Sequence, residues 1–295
     1  MTPVPGLELG EVASVAQRLA VLLSAGVAPA SAWVHVAASL DSAVARRVAT
    51  GVELADAAAD TPGLQLDAWR GLAAAWAVAS ESGSPLAPAL RDYAFSLREL
   101  GESQRDARVA LAGPIATARI VLALPAVGVL FGMALGFNTL AMLFGTPLGW
   151  ACLGAGGGLL ALAAYWNRRL VRAARPVSAT PGLACELMAI AMTGGTSIDR
   201  ARAIVAAALG RFAIDAEDAE PVLELSRAAG VPAAELLRSE ARELRAAARS
   251  TAQERAAALS VKLMLPLGLC VLPAFLVLGV LPLLVTVITA TVGTF

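Results

Sequence analysis

The chain has 295 residues, with 23 basic and 23 acidic side chains for a net charge of zero, one histidine, three cysteines and 58% hydrophobic residues. Balanced charge gives no electrostatic footprint for nucleic acid. Cysteines without C-x-x-C spacing, beside a lone histidine, indicate neither a zinc site nor a redox couple.

Residues 1–10 are acidic and proline-bearing and lack the basic and apolar regions of a signal peptide, so the N-terminus is expected to stay in the cytoplasm. From Leu7 to Ser24, Val12, Val15, Leu19, Leu22 and Leu23 recur at helical spacing, and Gly26 then stands where a C-cap glycine belongs. Alanine is abundant, strand-like alternation is absent, and Pro62-Gly63 and Gly83-Ser84-Pro85 mark boundaries. Residues 1–112 are therefore predicted to form a bundle of helices, the last of them long and entered through Pro85 at a first-turn position. His35 lies on one of these helices with no cysteine pair or carboxylate cluster around it, which argues against a metal or catalytic role.

No Asp, Glu, Lys, Arg or His occurs over 120–167 or over 263–295. A charge at the centre of a hydrocarbon layer costs several kcal/mol, and a span needs about 20 apolar residues. The segregation predicts an integral membrane protein. Turn residues Phe137-Asn138-Thr139 and Gly145-Thr146-Pro147 divide the first run, so residues 113–166 hold two spans, at about 115–137 and 147–166. Arg119 lies near the start of the first, where a long side chain can snorkel. Residues 263–295 supply a third span, at about 264–290, and a short external tail. Pro266, Pro273 and Pro282 lie within it and are tolerable as kinks.

Four arginines, Arg168, Arg169, Arg172 and Arg175, follow the second span with no acid among them. The loop between the first two spans carries no charge, so the basic cluster is placed inside and that loop outside. Residues 167–262 then form a second cytoplasmic helical segment, ending in a long charged helix over 232–262. The expected architecture is all-α: two cytoplasmic helical bundles and three transmembrane helices, with the N-terminus in and the C-terminus out.

The two polar segments look like copies. Gly83-Ser84-Pro85 aligns with Gly230-Val231-Pro232, and the register continues through Ala94 with Ala241, Leu97 with Leu244 and Arg98 with Arg245. Upstream, the turn at Gly26 resembles that at Gly195, at a different offset, so the second copy is shorter in its middle. Each copy reads as helices, a glycine turn, a long polar helix and a membrane span.

The glycine-rich 154–158 segment is not followed by Lys-Ser/Thr and reads as a membrane packing surface, so no nucleotide binding or hydrolysis is expected. No ionisable residue lies deep in a predicted span. A small-solute permease or transporter subunit, the alternative reading, would call for one, and an intramembrane hydrolase would require a catalytic pair. A non-enzymatic scaffold without cofactor or metal fits better. The charged helix over 232–262 is either a solvated face or a mixed-charge docking surface.

Several segments together resemble the type II secretion system F domain family: Ala25-Gly26 running on to Trp33, the Gly83-x-Pro85-Leu86 turn, Thr146-Pro147-x-Gly149, Trp166-x-x-Arg169-Leu170-Val171-Arg172, and Leu265-Pro266-Leu267-Gly268 with Leu272-Pro273-Ala274-Phe275. The last pair is most similar to the tight-adherence (Tad, Flp) pilus branch. The resemblance implies an inner-membrane platform for pilus or pseudopilus assembly or protein secretion. It implies as partners a hexameric cytoplasmic ATPase, pilin or pseudopilin subunits, membrane lipid, and a second copy or a paralogous platform protein. Such a platform couples the ATPase to extraction of pilins from the membrane. On that reading Arg238, Arg242 and Arg245 are the candidate ATPase contacts.

Overall fold

A computed structural model describes residues 7–134, 144–173, 180–215, 218–262, 264–282, 284–285 and 288. Among them the regular structure is entirely helical, with no strand. The residues fall into two compact units, Met1–Asp106 with Pro176–Thr251, and Ala107–Arg175 with Ala252–Phe295.

In the first unit, α1 (Leu7–Ser24) buries Leu9, Val12, Val15, Ala16 and Leu19 along one stripe. It stops where Gly26 adopts a φ of 83° and the Val27 N–H turns back to the Leu22 carbonyl at 3.0 Å. Three shorter helices follow: α2 (Pro29–Ser39), α3 (Ala43–Ala49) and α4 (Leu54–Ala57). The Ser42 hydroxyl caps α3 by accepting the Ala45 N–H at 3.2 Å. Helix α5 (Gly63–Ser82) is central: Trp69, Leu72, Ala74, Val78 and Ala79 are fully buried. Small residues on α5 permit close approach: the Tyr93 ring lies on Gly71, and its hydroxyl donates to the Ala68 carbonyl at 2.7 Å.

Helix α6 (Leu86–Ala134) has 49 residues and continues from the first unit into the second. In the second polar segment, α8 (Leu183–Thr193) and α9 (Ile198–Arg211) pack against each other and both against α5. Every residue of α8 from Leu183 to Ala191 is buried, as a helix without a polar face requires. Helix α10 (Glu220–Ala229) leads to α11 (Ala233–Lys262), which also passes from one unit to the other. Residues of both polar segments contribute to one continuous core. The sequence reading treats 1–112 and 167–262 as separate bundles; their helices instead share that core.

The second unit is built differently. Helix α7 (Pro147–Ala173) packs against a stretch that is α-helical at α12 (Met264–Pro266) and α13 (Leu272–Phe275), and π-helical at π1 (Leu267–Val271) and π2 (Leu276–Val280). Each π-helical turn begins within three residues after a proline, Pro266 or Pro273. Proline lacks an N–H and crowds the preceding turn, and a widened turn accommodates both. Pro266 and Pro273, two of the three prolines expected to kink the span, are taken up in this way.

Among the described residues a buried cluster of this unit consists of Ala163, Cys270 and Val271, with Leu160 and Trp166 against them. The unit's described surface carries many large apolar side chains. In the first unit the exposed large apolar side chains are Val21, Val34, Phe95, Leu225 and Val231, whereas in the second they include Ile120, Leu130, Trp150, Leu162, Met264, Leu265, Leu269, Leu272 and Leu276. An apolar patch of that extent belongs against lipid or another protein. Among the described residues, two helices are long and apolar enough to cross a membrane, Pro147–Leu170 and one within Ala233–Val280. The first expected span, 115–137, is helical within α6 as far as Ala134, and 135–143 lie outside the described residues.

Candidate functional site

The helices that enter the apolar unit, α6 and α11, are cross-braced in the first unit through α8. Gly182, at the start of α8, sits against the backbone of Ala241 so closely that a Cβ would lie 2.8 Å from its Cα. One turn on, Arg245 Nη1 donates to Glu186 Oε2 at 2.7 Å, with the side chains only 13% and 8% exposed. Ser96 Oγ, from α6, lies 3.4 Å from the same carboxylate oxygen. One turn further along both long helices, Arg249 of α11 pairs directly with Glu99 of α6 at 2.9 Å. Two successive polar bridges thus tie α6 to α11, the deeper one running through a carboxylate in an otherwise apolar helix.

The electrostatics of the deeper bridge are strained. Burial pushes the Glu186 carboxyl above its ordinary range. The Arg245 charge and the hydrogen bonds from Arg245 and Ser96 pull it down, and Asp92 pushes it up. Glu186 Oε1 and Arg245 Nε are buried without a hydrogen-bond partner. Burial also raises the Tyr93 hydroxyl, with smaller contributions from Glu186 and Asp67.

The opposite end of α8 is fastened to the α5–α6 turn. The Ser84 hydroxyl donates to the Ile190 carbonyl, and Ser82 Oγ lies 3.0 Å from Ser84 Oγ. A Cβ on Gly194 would overlap the Ser82 carbonyl oxygen.

Arg238 donates to Thr193 Oγ1 at 2.8 Å, and Arg242 is exposed, with its Nε–H on the Arg238 carbonyl at 3.2 Å. Arg245 is not on that open face; it is spent on Glu186. Gly26, Gly83, Gly195 and Gly230 all have positive φ. At two of them the turn geometry coincides: after α5, Gly83 (φ 72°, ψ 17°) and Ser84 both send their N–H to the Ala79 carbonyl, and after α10, Gly230 (φ 67°, ψ 26°) and Val231 both send theirs to the Ser226 carbonyl. Pro85 and Pro232 follow, immediately before α6 and α11. Arg168 and Arg169 are exposed near the end of α7, and Arg172 is on the same helix; Arg175 and the 138–143 part of the expected loop lie outside the described residues.

Sequence reasoning missed Glu186, Ser96, Glu99 and Arg249. It also missed a groove of about 510 Å³ beside α5, where Trp33 and Trp76 lie 5.9 Å apart between ring centroids. Arg211 and Glu53, paired at 2.7 Å, line the same groove. A lone acid among the apolar residues of α8 was the available signal for Glu186.

Nothing among curated proteins or solved structures matches the chain. Residues 15–134, from within α1 to the end of α6, match the family described as Type II secretion system (T2SS), protein F. That family is membrane-associated, in keeping with the two apolar helices. The chain carries a match to the T2SS protein F domain at residues 15–134.

Proposed function

We propose that the chain is a non-enzymatic inner-membrane platform for pilus or pseudopilus assembly or protein secretion, coupling a cytoplasmic hexameric ATPase to extraction of pilin subunits. The reading places three spans in the membrane, both polar segments in the cytoplasm as divergent copies of one repeat, and the C-terminus outside. The observation that carries it is the continuity of α6 and α11. Each begins in the folded polar core and runs on, without a break in α6, toward the apolar unit of a secretion-family protein. A helix is stiff over such lengths: the 49 residues of α6 span about 74 Å at ~1.5 Å per residue. In this reading, force applied to the polar core is passed along these helices. The matching turns at Gly83 and Gly230 support the repeat.

The exposed face of α11 supplies the ATPase contact in this reading, with Arg238 and Arg242 rather than the buried Arg245 at its centre. Co-purification of the cognate ATPase with the membrane-inserted Arg238→Glu/Arg242→Glu variant tests it. ATPase recovery should fall several-fold, and wild-type recovery should fall with added salt, because exposed charge pairs are screened. Undiminished recovery from a correctly inserted variant would move the interface off α11.

A further inference from the structure

The apolar unit carries a feature that force transmission does not use. Near the end of α7, Arg168 and Arg169 are exposed and have no ion-pair partner among the described residues. In sequence, Arg172 and Arg175 follow, and no acid occurs between Asn167 and Glu186. The helix packed against α7 brings a further cation to the same end. Ala163 and Trp166 of α7 meet Cys270 and Val271, and α7 goes on to meet Met264–Pro266. Two residues before Met264 stands Lys262, exposed and without an ion pair among the described residues. Two antiparallel helices therefore contribute cations to one end of the unit.

That end is also a polarity border. On the apolar side of the cations, Leu162, Tyr165, Met264, Leu265 and Leu269 are each more than half exposed. Tyr165 and the half-buried Trp166 flank the arginines, and aromatic side chains with a polar edge favour the headgroup level. Guanidinium groups with no ion pair among the described residues, beside open apolar surface, match one ligand: a lipid whose phosphodiester takes the cations while its acyl chains cover the leucines. Guanidinium binds phosphate oxygens in a fork, and basic clusters at span ends attract anionic headgroups.

We propose that Arg168, Arg169 and Lys262 form a binding site for an anionic phospholipid headgroup at the α7–α11 end of the apolar unit. The site rests on the reading of that unit as membrane-embedded.

The full-length chain, purified in detergent, is incubated with phosphatidylglycerol, with phosphatidylcholine, or with inorganic phosphate. Bound lipid is counted by native mass spectrometry and thermal unfolding is followed in parallel. Wild-type protein should retain phosphatidylglycerol in preference to phosphatidylcholine and unfold at higher temperature with it, while inorganic phosphate has no effect. Arg168→Gln/Arg169→Gln/Lys262→Gln should lose about tenfold or more of that preference. Arg168→Lys/Arg169→Lys should keep most of it. Arg200→Gln, an exposed arginine of the first unit, should leave it unchanged. Equal retention of the two lipids by wild-type protein overturns the site, whatever the variants do. So does a preference that survives the triple substitution, or stabilisation by inorganic phosphate equal to that by lipid. Carbonate extraction of membranes separates this failure from the larger one: wild-type chain released into the soluble fraction overturns the membrane reading and the site with it.

Discussion

Arg245 places its guanidinium 2.7 Å from the Glu186 carboxylate, and both side chains are nearly closed off from solvent. The pair therefore behaves as a buried ion pair rather than as a surface one. Removing one partner from such a pair strands the other charge and costs about 3–5 kcal/mol, whereas replacing both with apolar residues is often near neutral. Arg245→Met and Glu186→Leu should differ accordingly. The first leaves a carboxylate in an apolar helix and should lose several kcal/mol of unfolding free energy, with the loss lessened because Glu186 can take a proton. The second leaves a cation that has a shorter route to solvent and should lose less. The double substitution should recover most of the loss. Denaturant unfolding of the four proteins checks this. Additive single losses would show that the pair is not coupled.

The same carboxylate sets a pH dependence. Its pKa in the folded chain is raised above the ordinary carboxylate range, chiefly by burial. The folded state then holds its proton at pH values where the unfolded chain has released it. Stability from this group is fully present below the unfolded carboxylate pKa and is lost as pH rises through the folded value. Glu186→Gln cannot titrate and should flatten the stability profile over that range. A wild-type profile that rises with pH there, and is flattened by the substitution, would reverse the sign and make the Arg245 charge the dominant influence.

Much of this chain was legible without coordinates because the strongest signals are one-dimensional. Charge-free runs report solvent polarity directly, and Gly83-x-Pro85 and Gly230-x-Pro232 report backbone conformations that few other residues tolerate. The stripe Val12, Val15, Leu19 reports which face of α1 is buried. The brace was not legible because its members are far apart in the chain: Glu186 is 59 residues from Arg245, and Glu99 is 150 from Arg249. Arg238, Arg242 and Arg245 look alike in sequence, at spacings that place them near one another on a helix. Only the position of α8 decides that the third is buried and the second is open. The shared core likewise depends on α5 packing against both segments, which periodicity within either segment does not encode.

The two turns offer a test of equivalence. Gly83 and Gly230 have φ values of 72° and 67°, and a Cβ at either would meet nothing within 4 Å. Any cost of alanine there is backbone strain alone, about 1–2 kcal/mol for an L-residue in the left-handed region. Gly83→Ala and Gly230→Ala should therefore destabilise the chain by similar amounts. Gly210→Ala, within α9 with open space and no positive φ, should stabilise by about 0.5–1 kcal/mol through helix propensity. Thermal unfolding of the three variants measures this, and a large inequality between the first two would mean that the turns serve different structural ends.

In the apolar unit, one glycine of the 154–158 run is distinguished from its neighbours. A Cβ on Gly156 would overlap the Leu278 side chain, whereas at Gly154, Gly157 and Gly158 it would meet nothing within 4 Å. Small residues matter at membrane-helix contacts because they let backbones approach, and the gain there comes from packing rather than from expelling water. Leu278 is buried, so it cannot swing clear without disturbing π2. Gly156→Leu should overpack this contact and cost about 1–3 kcal/mol. Gly157→Leu should be close to neutral. A double-mutant cycle supplies the decisive measurement: Leu278→Ala alone opens a cavity, Gly156→Leu alone collides, and the combination refills the space from the other helix. Unfolding of the detergent-solubilised chain should show a favourable coupling of about 1 kcal/mol or more between the two substitutions, in the range expected for residues in contact. Zero coupling would mean that α7 and π2 do not meet at Gly156 and Leu278.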